Sequence, residues 1–385
     1  MSLQGVRTIA VLELRQRLRT SRWPVVLGIW FLIIGAVAGL TWWAVNIQSG
    51  HSANTLVDDR GTTLYDVVLF FVLGLGMLVV PSLTATSING DREHGVLATL
   101  QTTMLTSADI VVGKLVAAWA ISLAFLMVAS PFLVWAWIAG GIEIGRMLLA
   151  VTVLAFVLAV ICALGLMFSA LTARTISSAV LTYLTVAALT VGTVIAFLTS
   201  MPVMATQQSV RVKVIPDTWF QDHQPGSAEA SANPTAADCV YINRVQSTLH
   251  TERTWWLLAL NPFVVVADAA PSRKPLNYLG FEPLQMISDG ARSARMGIAA
   301  PDSGIVNECG PELAPSQAQL TTGGPDGAAF QEQQQKLERE KLNKVPAVWP
   351  YGFVFLGLIG AGSTFVAVRR LRTPIRKLPR GTRVA

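Results

Sequence analysis

The chain has 385 residues, of which 52% are hydrophobic and only 14% are charged. Soluble domains usually carry about a quarter of their residues as Asp, Glu, Lys or Arg, so this composition excludes an ordinary water-soluble protein. The formal net charge is +6, but the basic residues cluster beside apolar stretches, which is typical of membrane orientation signals and argues against nucleic-acid binding.

Long stretches without any charged residue recur along the chain, and each suffices for the roughly 20 residues with which a helix crosses a bilayer. We therefore predict an all-α polytopic membrane protein with six transmembrane helices, an N-terminal interfacial helix and a large extracytoplasmic insertion between the fifth and sixth spans. The predicted spans are residues 23–46, 67–88, 113–139, 147–171, 176–199 and 347–368.

Residues 1–22 precede the first span and form the first predicted unit. Residues 3–22 are predicted to be an amphipathic helix along the cytoplasmic face of the membrane, since most arginines lie away from its apolar positions. The first apolar run is longer than a signal-peptide core and lacks a small-x-small cleavage site, so we expect it to be retained. The apolar positions recur at three- and four-residue spacing: Leu3, Val6, Ala10, Leu14 and Leu18.

The second unit, residues 23–199, contains spans one to five and a polar segment, residues 89–112, after span two. In this segment an acidic–basic pair, a glycine and leucines three residues apart predict a short helix with a charged face and an apolar face. Ser107 is placed to cap the following helix. An ordinary solvated loop helix gives the same pattern, so the residues alone leave its role open. The positions concerned are Asp91, Arg92, Glu93, His94, Gly95, Leu97 and Leu100.

Two links of this unit, residues 140–146 and 172–175, are short. Gly140 and Gly141 predict a tight hairpin between spans three and four.

The ionisable residues beside the spans lie at the predicted span ends, where we expect their side chains to reach water. The spans lack the mid-membrane charges that are typical of ion-coupled carriers. Energy for uphill transport is therefore expected from another subunit. The span-end residues are Asp66, Lys114, Glu143 and Arg146.

The third unit, residues 200–346, is rich in Ala, Pro, Gly, Ser and Gln, and the sequence leaves its fold open. Residues 255–266 are apolar but too short to span, which predicts an interfacial or re-entrant element broken at Asn261-Pro262. Residues 328–343 are predicted to be a charged helix leading to span six. The re-entrant element is assigned to Trp255, Trp256, Asn261, Pro262 and Phe263.

Three cysteines occur in the chain. Cys162 lies in an apolar span and is interpreted as a packing residue. Cys239 and Cys309 lie in the third unit and either form a disulfide, which an oxidising exterior permits, or are two unrelated buried thiols.

The fourth unit, residues 347–385, comprises span six and a basic tail. The arginines before span one and those after Val368 place both termini in the cytoplasm, with residues 89–112 inside and 200–346 outside. Basic residues at 336–344 oppose this orientation, but glutamates are interleaved with them. Arginine outnumbers lysine and alanine is abundant, which favours a GC-rich bacterium as the source. We therefore expect the chain in a bacterial inner (plasma) membrane.

No motif for bond chemistry is present in the sequence. The only Gly-Lys pair, Gly113-Lys114, is followed by leucine and lacks the upstream glycine of a phosphate-binding loop. The four histidines are scattered, and His94 next to Glu93 has no second histidine at helical spacing, so no metal site is predicted. We expect that the chain is not itself an enzyme and binds no cofactor of its own.

The segment after span two resembles the coupling helix of permease subunits in the type-2 ATP-binding-cassette (ABC) exporter family. In that pattern a Glu-Arg/Lys-Glu-x-Gly-Thr-Leu-Glu-x-Leu run precedes a Thr/Pro-Leu-Ser turn and a Gly-Lys pair before span three. Residues 91–100, 104–107 and 113–114 carry these positions, with Asp91, Val96 and Ala98 as departures. Residues 13–15 and 260–263 also resemble these permeases, whereas most of the third unit has no recognisable counterpart.

The resemblance implies a pump that is driven by a separate ATPase subunit. Separate ABC ATPase subunits would bind ATP and Mg²⁺ and dock on the coupling residues, with Arg92 and Glu93 in a groove of the ATPase. A second permease copy or a related permease would complete the pathway, lined by spans two and five. An uncharged pathway in contact with membrane lipid favours export of an amphiphile: a drug, lipid, glycolipid or peptide.

Two other functions are considered. A non-transporting membrane component of an ATPase-coupled complex would signal to, or act mechanically on, envelope proteins through residues 200–346. ATP-dependent flux of a substrate distinguishes the exporter from this alternative. An intramembrane enzyme would need a catalytic cluster at membrane depth, which the sequence does not show.

Overall fold

In the computed structural model, six helices among the described residues are long and apolar enough to cross a membrane. The protein is thus a mostly helical, polytopic membrane protein, as predicted. The structure describes residues 2–19, 22–49, 60–93, 106–222, 236–270, 281–297, 305–307, 309, 340–342 and 344–372. The helices before the strands are α1 Leu3–Leu18, α2 Arg22–Ser49, α3 Arg60–Thr84, α4 Ser87–Glu93, α5 Ser107–Ile138, α6 Ile144–Leu171, α7 Thr175–Ala187 and α8 Thr193–Val203. The later helices are α9 Asp217–Asp222, α10 Trp256–Ala259, α11 Pro262–Ala269, α12 Pro283–Met296 and α13 Trp349–Arg372.

The centre of the bundle consists of α3, α5 and α6. In each of these helices 56% of the most apolar window is buried, compared with 17% in α2, 22% in the α7–α8 span and 28% in α13. A single apolar cluster joins the three central helices, and Leu73, Phe125 and Leu154 are among its buried members. The three other spans therefore lie at the periphery of the bundle, where they expose apolar surface.

The start of α5 differs from the prediction in one detail. Thr106, not Ser107, is the N-cap, and its side chain accepts a hydrogen bond from the N–H of Asp109. The Asp109 carboxylate accepts the N–H of Thr106 in return at 3.0 Å. Asp109 is three residues after Thr106 and completes this capping box, whereas Ser107 has no such partner at the corresponding position. 

The hairpin between α5 and α6 is built on glycine, as predicted. Gly140 and Gly141 have φ angles of 103° and 84°, a region in which only glycine is unstrained. The start of α3 packs against this turn, because a Cβ atom at Gly61 would overlap the carbonyl oxygen of Gly140. The hairpin and the start of α3 thus lie at the same end of the bundle, opposite to the end at which α4 lies. We call these the hairpin end and the α4 end.

Helix α3 begins at Arg60, before the predicted start at residue 67. The expectation that Asp66 reaches water is wrong, because its carboxylate is buried and accepts the N–H groups of Leu284 and Gln285 at 2.9 and 3.1 Å. These are free N–H groups at the start of α12, and a carboxylate satisfies them well. Thr63 also donates to Glu282 at 2.8 Å. Helix α12 is therefore fixed on the hairpin end of α3.

A second buried carboxylate, Asp268 of α11, joins α12 to the last span. One oxygen accepts the Arg292 Nε–H at 2.6 Å and the other accepts the N–H groups of Val348 and Trp349 at 2.6 and 2.8 Å. Arg295 of α12 stacks on the rings of Trp255, just before α10, and of Tyr351 in α13. Helices α10 to α12 consequently close the hairpin end of the bundle.

The described residues also form three strands in the region whose fold the sequence left open. The sheet order is β2-β1-β3, with β1 Ala205–Val214 antiparallel to β2 Val240–Leu249 and parallel to β3 Ile305–Asn307. Cys239 and Cys309 are joined in a disulfide with a Cα–Cα distance of 6.0 Å, and Cys162 is a buried free thiol. Most of the helix predicted over 328–343, and the tail beyond Arg372, lie outside the described residues.

Candidate functional site

The most unusual group at the α4 end is Lys114, whose side chain is only 1% exposed although it carries an ammonium group. Its Nζ forms ion pairs with Glu13 of α1 and with Asp91 of α4, the latter at 2.6 Å, and donates to the carbonyl oxygen of Ser87 at 3.3 Å. Three partners match the three N–H donors of a lysine. A buried charge is tolerated only when it is paired in this way, so Lys114 joins α1, α4 and α5.

The expectation that Lys114 reaches water is therefore wrong. Its partner Glu13 is 101 residues away in the sequence, and no local pattern connects the two. The adjacent Gly113 is explained by the same contact, because a Cβ atom there would lie 2.7 Å from the Cβ of Ile9. Glycine lets α1 approach α5, and the next residue supplies the charge that holds the two helices together.

Arg17 extends this attachment to the end of α3. It lies 3.9 Å from Glu13, and its guanidinium donates to the carbonyl oxygen of Leu83 at 3.1 Å. The last carbonyl groups of a helix have no partner within it, so Arg17 satisfies one of them. At the other end of α1, the N–H of Ser2 donates to Asp109 at 2.8 Å. Helix α1 is thereby bound to spans two and three along its length.

Helix α4 is attached to span four by its opposite side. The N–H groups of Ile88 and Asn89 donate to Ser169 Oγ at 3.0 and 3.1 Å, and the Asn89 amide donates to Thr172 Oγ1 at 3.1 Å. Asn89 is fully buried. Sequence reasoning did not single out Asn89 or Ser169, since a polar residue beside a span is usually a solvated one.

The predicted coupling residues fall into three groups. Asp91 is turned inward to Lys114, whereas Arg92 and Glu93 at the end of α4 are exposed. Arg92 also lies within 3.5 Å of the carbonyl oxygen of Thr172. His94, Gly95, Leu97 and Leu100 lie outside the described residues.

The predicted re-entrant element lies at the hairpin end. Helix α10 stops at Ala259 and α11 starts at Pro262, with the Asn261 side chain accepting the N–H of Phe263 at 2.9 Å as the N-cap. The Phe263 ring packs against Phe70 of α3, with the ring centroids 5.3 Å apart. Trp255 packs against the Tyr351 ring of α13, and Trp256 is exposed. The break at Asn261-Pro262 thus separates two short helices that are packed into the bundle end.

Helix α7 lies beside α3 and is hydrogen-bonded to it. Tyr183 of α7 donates its hydroxyl to the carbonyl oxygen of Leu78 in α3 at 2.8 Å. Leu78 is exposed, and Phe70 and Phe71 farther along α3 are partly exposed. These side chains offer aromatic and aliphatic surface with one hydroxyl. Among the described residues, no group of three His, Cys, Asp or Glu side chains could hold a metal ion.

Outside the bundle, His250 lies between two polar partners near the sheet. Its ring nitrogens lie 2.7 Å from Thr206 Oγ1 and 2.6 Å from Glu252 Oε1. Partial desolvation acts to raise the pKa of Glu252, but hydrogen bonds from its own backbone and from His250 outweigh this and hold the pKa below its ordinary value. The contact fixes the end of β2 against the start of β1.

The chain is thus a multi-pass membrane protein whose two ends differ. At the α4 end a buried ion cluster around Lys114 joins three helices, and at the hairpin end short helices pack against the bundle. A family comparison then matches residues 7–269 to the ABC-2 family transporter proteins, which is more than half of the chain. The chain belongs to this family, the membrane components of ABC transporters, which work with ABC ATPase subunits. A comparison with curated proteins gave no match.

Proposed function

We propose that this chain is the permease subunit of an ATP-driven exporter, and that separate ATPase subunits dock at its α4 end. The observation that carries the proposal is the ion cluster around Lys114, which joins α1, α4 and α5. A docking helix must be rigidly attached to the spans if it is to transmit movement, and α4 has such attachments on two sides.

Force applied to the end of α4 would reach three spans. Lys114 connects α4 to span three, Ser169 connects it to span four, and the two residues after Thr84 connect it to span two. Arg92 and Glu93 are exposed where an ATPase groove could hold them. Residues 94–100, which lie outside the described residues, are proposed to belong to the same docking segment. ATP and Mg²⁺ would be bound by the ATPase, whose closure favours one of two permease states by binding them unequally.

The apolar surface where α3 and α7 meet supports a hydrophobic or amphiphilic substrate. Phe70, Phe71 and Leu78 provide apolar surface, and Tyr183 provides a hydroxyl. A second permease copy, or a related permease, would face this surface and the weakly buried span formed by α7 and α8. A drug, lipid, glycolipid or peptide with a large apolar part suits this pathway better than a small ion does.

The proposed location is the inner (plasma) membrane of a bacterium, with the α4 end and both termini in the cytoplasm. Arg369, Arg370 and Arg372 end α13 at the side at which α1 and α4 lie, in agreement with the positive-inside rule. The disulfide between Cys239 and Cys309 supports an extracytoplasmic position of the sheet, because disulfides persist in oxidising compartments.

A second candidate function is favoured by one specific observation. Strand β1 starts at Ala205, directly after Met204 and the end of α8, so movement of span five would pass to the sheet without an intervening flexible link. A membrane component that acts mechanically on envelope proteins would use such a connection. ATP-dependent flux of a fluorescent amphiphile in proteoliposomes distinguishes an exporter from this alternative.

Charge reversal on α4 tests the proposed docking site. The double variant Arg92→Glu/Glu93→Lys should lose stimulation of the ATPase while it still inserts into the membrane, because both charges are exposed. The matched control is Glu143→Lys, since Glu143 is also exposed but lies at the hairpin end. Normal stimulation by the double variant would remove these two residues from the docking role.

A further inference from the structure

Span five contains a break that the sequence did not predict. Helix α7 ends at Ala187, a π turn covers Ala188–Gly192, and α8 starts at Thr193. The N–H of Thr193 donates to the carbonyl oxygen of Ala188, five residues back. A π turn fits one extra residue into a helix and is less stable than a regular turn, so inside an apolar span it needs support from outside the helix.

Asn261 supplies that support. Its side-chain N–H₂ group donates to the carbonyl oxygen of Thr190 at 2.7 Å and to Thr193 Oγ1 at 3.0 Å. Its side-chain oxygen accepts the N–H of Phe263 at 2.9 Å and so caps α11. Asn261 is only 3% exposed, and these three contacts use both donors and the acceptor of its amide.

The donor contacts are not needed for capping. A serine or an aspartate caps a helix as well as asparagine does, using only an oxygen. The amide N–H₂ group is what connects the π turn to α11, and α11 is in turn fixed to span six through Asp268. One side chain therefore connects span five to the closure of the hairpin end.

We propose that Asn261 is a positioning residue that holds span five in the π register, and that the coupling of the permease to ATP hydrolysis depends on this register. The coupling part rests on the proposed function. If the π turn became a regular α-helical turn, α8 would rotate by about 100° and shift by about 1.5 Å. Ala196 would then take the place of Phe197, which now packs in an apolar cluster with Leu258.

Cysteine cross-linking reads the register directly. In a Cys162→Ser background, the pair Phe197→Cys/Leu258→Cys should cross-link and the pair Ala196→Cys/Leu258→Cys should not. Adding Asn261→Ser, which retains the capping oxygen but cannot reach Thr190, should shift cross-linking to the 196–258 pair. A cross-linking pattern that does not change with Asn261→Ser would overturn the register assignment.

A second experiment measures ATP hydrolysis by the permease reconstituted with its ATPase. Asn261→Ser should lower permease-stimulated ATP hydrolysis about fivefold or more, as expected for the loss of a buried hydrogen bond. The matched control is Asn46→Ser, because Asn46 donates to a carbonyl oxygen within its own helix, that of Trp42 at 2.9 Å, and this variant should remain within about twofold of wild type. Equal stimulation by wild type and Asn261→Ser would contradict the coupling role.

A third variant tests the same contact if Asn261→Ser does not fold. Thr193→Val removes one acceptor of the Asn261 amide and leaves the cap intact, so it should shift both readouts in the same direction but less. If Asn261→Ser does not fold, unchanged readouts in Thr193→Val would overturn the inference. A wild-type permease that stimulates no ATPase would contradict the proposed function, while the cross-linking arm would still decide the register.

Discussion

At the scale of single residues, four buried polar side chains hold the ends of the helices together. Lys114 forms ion pairs with two carboxylates at the α4 end, whereas Asp66 and Asp268 each accept N–H groups at the start of another helix at the hairpin end. Asn261 satisfies a carbonyl oxygen within span five. Lys114 is thus matched by carboxylates of two other helices. Asp66, Asp268 and Asn261 are matched by backbone groups at a helix start or at the π turn.

Removing the charge of Lys114 should destabilise the protein. In Lys114→Met, Glu13 and Asp91 lose their common cation while they remain largely buried. We expect a loss of about 3 kcal/mol, at the lower end of the cost of breaking a buried ion pair because both carboxylates keep some exposure. Thermal unfolding in detergent measures the difference.

The control for this prediction is Arg146→Met. Arg146 pairs with Glu143 at 3.0 Å, but the Glu143 side chain is 70% exposed, and exposed ion pairs contribute about 1 kcal/mol or less. A Lys114→Met protein as stable as Arg146→Met would mean that the cluster does not hold α1, α4 and α5 together.

The partners of single buried residues could not be predicted from the sequence. Asp66 and Lys114 were expected in water because each lies at the end of an apolar run, which is usually correct for span ends. Their partners, Leu284 and Glu13, lie 218 and 101 residues away. Ion pairs and caps between distant segments leave no periodic signal in a single sequence, so the three-dimensional contacts had to supply them.

At the scale of elements, the central helices approach each other at glycine. A Cβ atom at Gly165 of α6 would overlap the Thr84 side chain at the end of α3, and Gly113 has the same role between α5 and α1. Close helix contacts in a membrane depend on such small residues because lipid provides no hydrophobic drive for packing. The glycines thus bring the spans close enough for the polar contacts at the α4 end.

A single methyl group at this contact should be destabilising. Gly165→Ala is expected to lower stability by about 1–3 kcal/mol through overpacking, as measured by thermal unfolding in detergent. Gly28→Ala in α2 is the matched control, because a Cβ atom there meets nothing within 4 Å. If both variants unfold at the same temperature, α6 and α3 are not in close contact at this point.

Helices and turns were predicted correctly where local composition alone determines them. The six spans follow from the length of their apolar runs, and the α5–α6 hairpin follows from Gly140 and Gly141. The prediction was wrong about the start of α3, because Thr63 and Asp66 continue the helix only with partners from α12. The strands were not predicted because the surrounding segment is rich in proline and glycine. Residues 209–214 nevertheless alternate polar and apolar side chains, a pattern typical of a strand.

At the scale of the whole molecule, the two ends differ in chemistry. The α4 end combines the ion cluster with exposed charges on α4, which suits a protein partner that applies force. The hairpin end is closed by short helices and carries the sheet and its disulfide. This asymmetry supports the proposed orientation, in which ATP is hydrolysed beneath α4 and the sheet lies outside the cell membrane.

Labelling of single cysteines tests that orientation. In a Cys162→Ser background, Met286→Cys should react with an impermeant maleimide in intact spheroplasts, because Met286 is 58% exposed on α12. Arg174→Cys, in the exposed link between α6 and α7, should react only after the membrane is opened. The reverse pattern would place the α4 end outside.

The proposed function requires that a separate ATPase drives the permease and docks at the end of α4. Its most direct test is affinity purification of the native assembly with a photo-crosslinking amino acid at position 93, compared with position 143. A nucleotide-hydrolysing subunit should co-purify and should cross-link from position 93 but not from position 143. A native assembly without any ATP-hydrolysing subunit would contradict the proposed function.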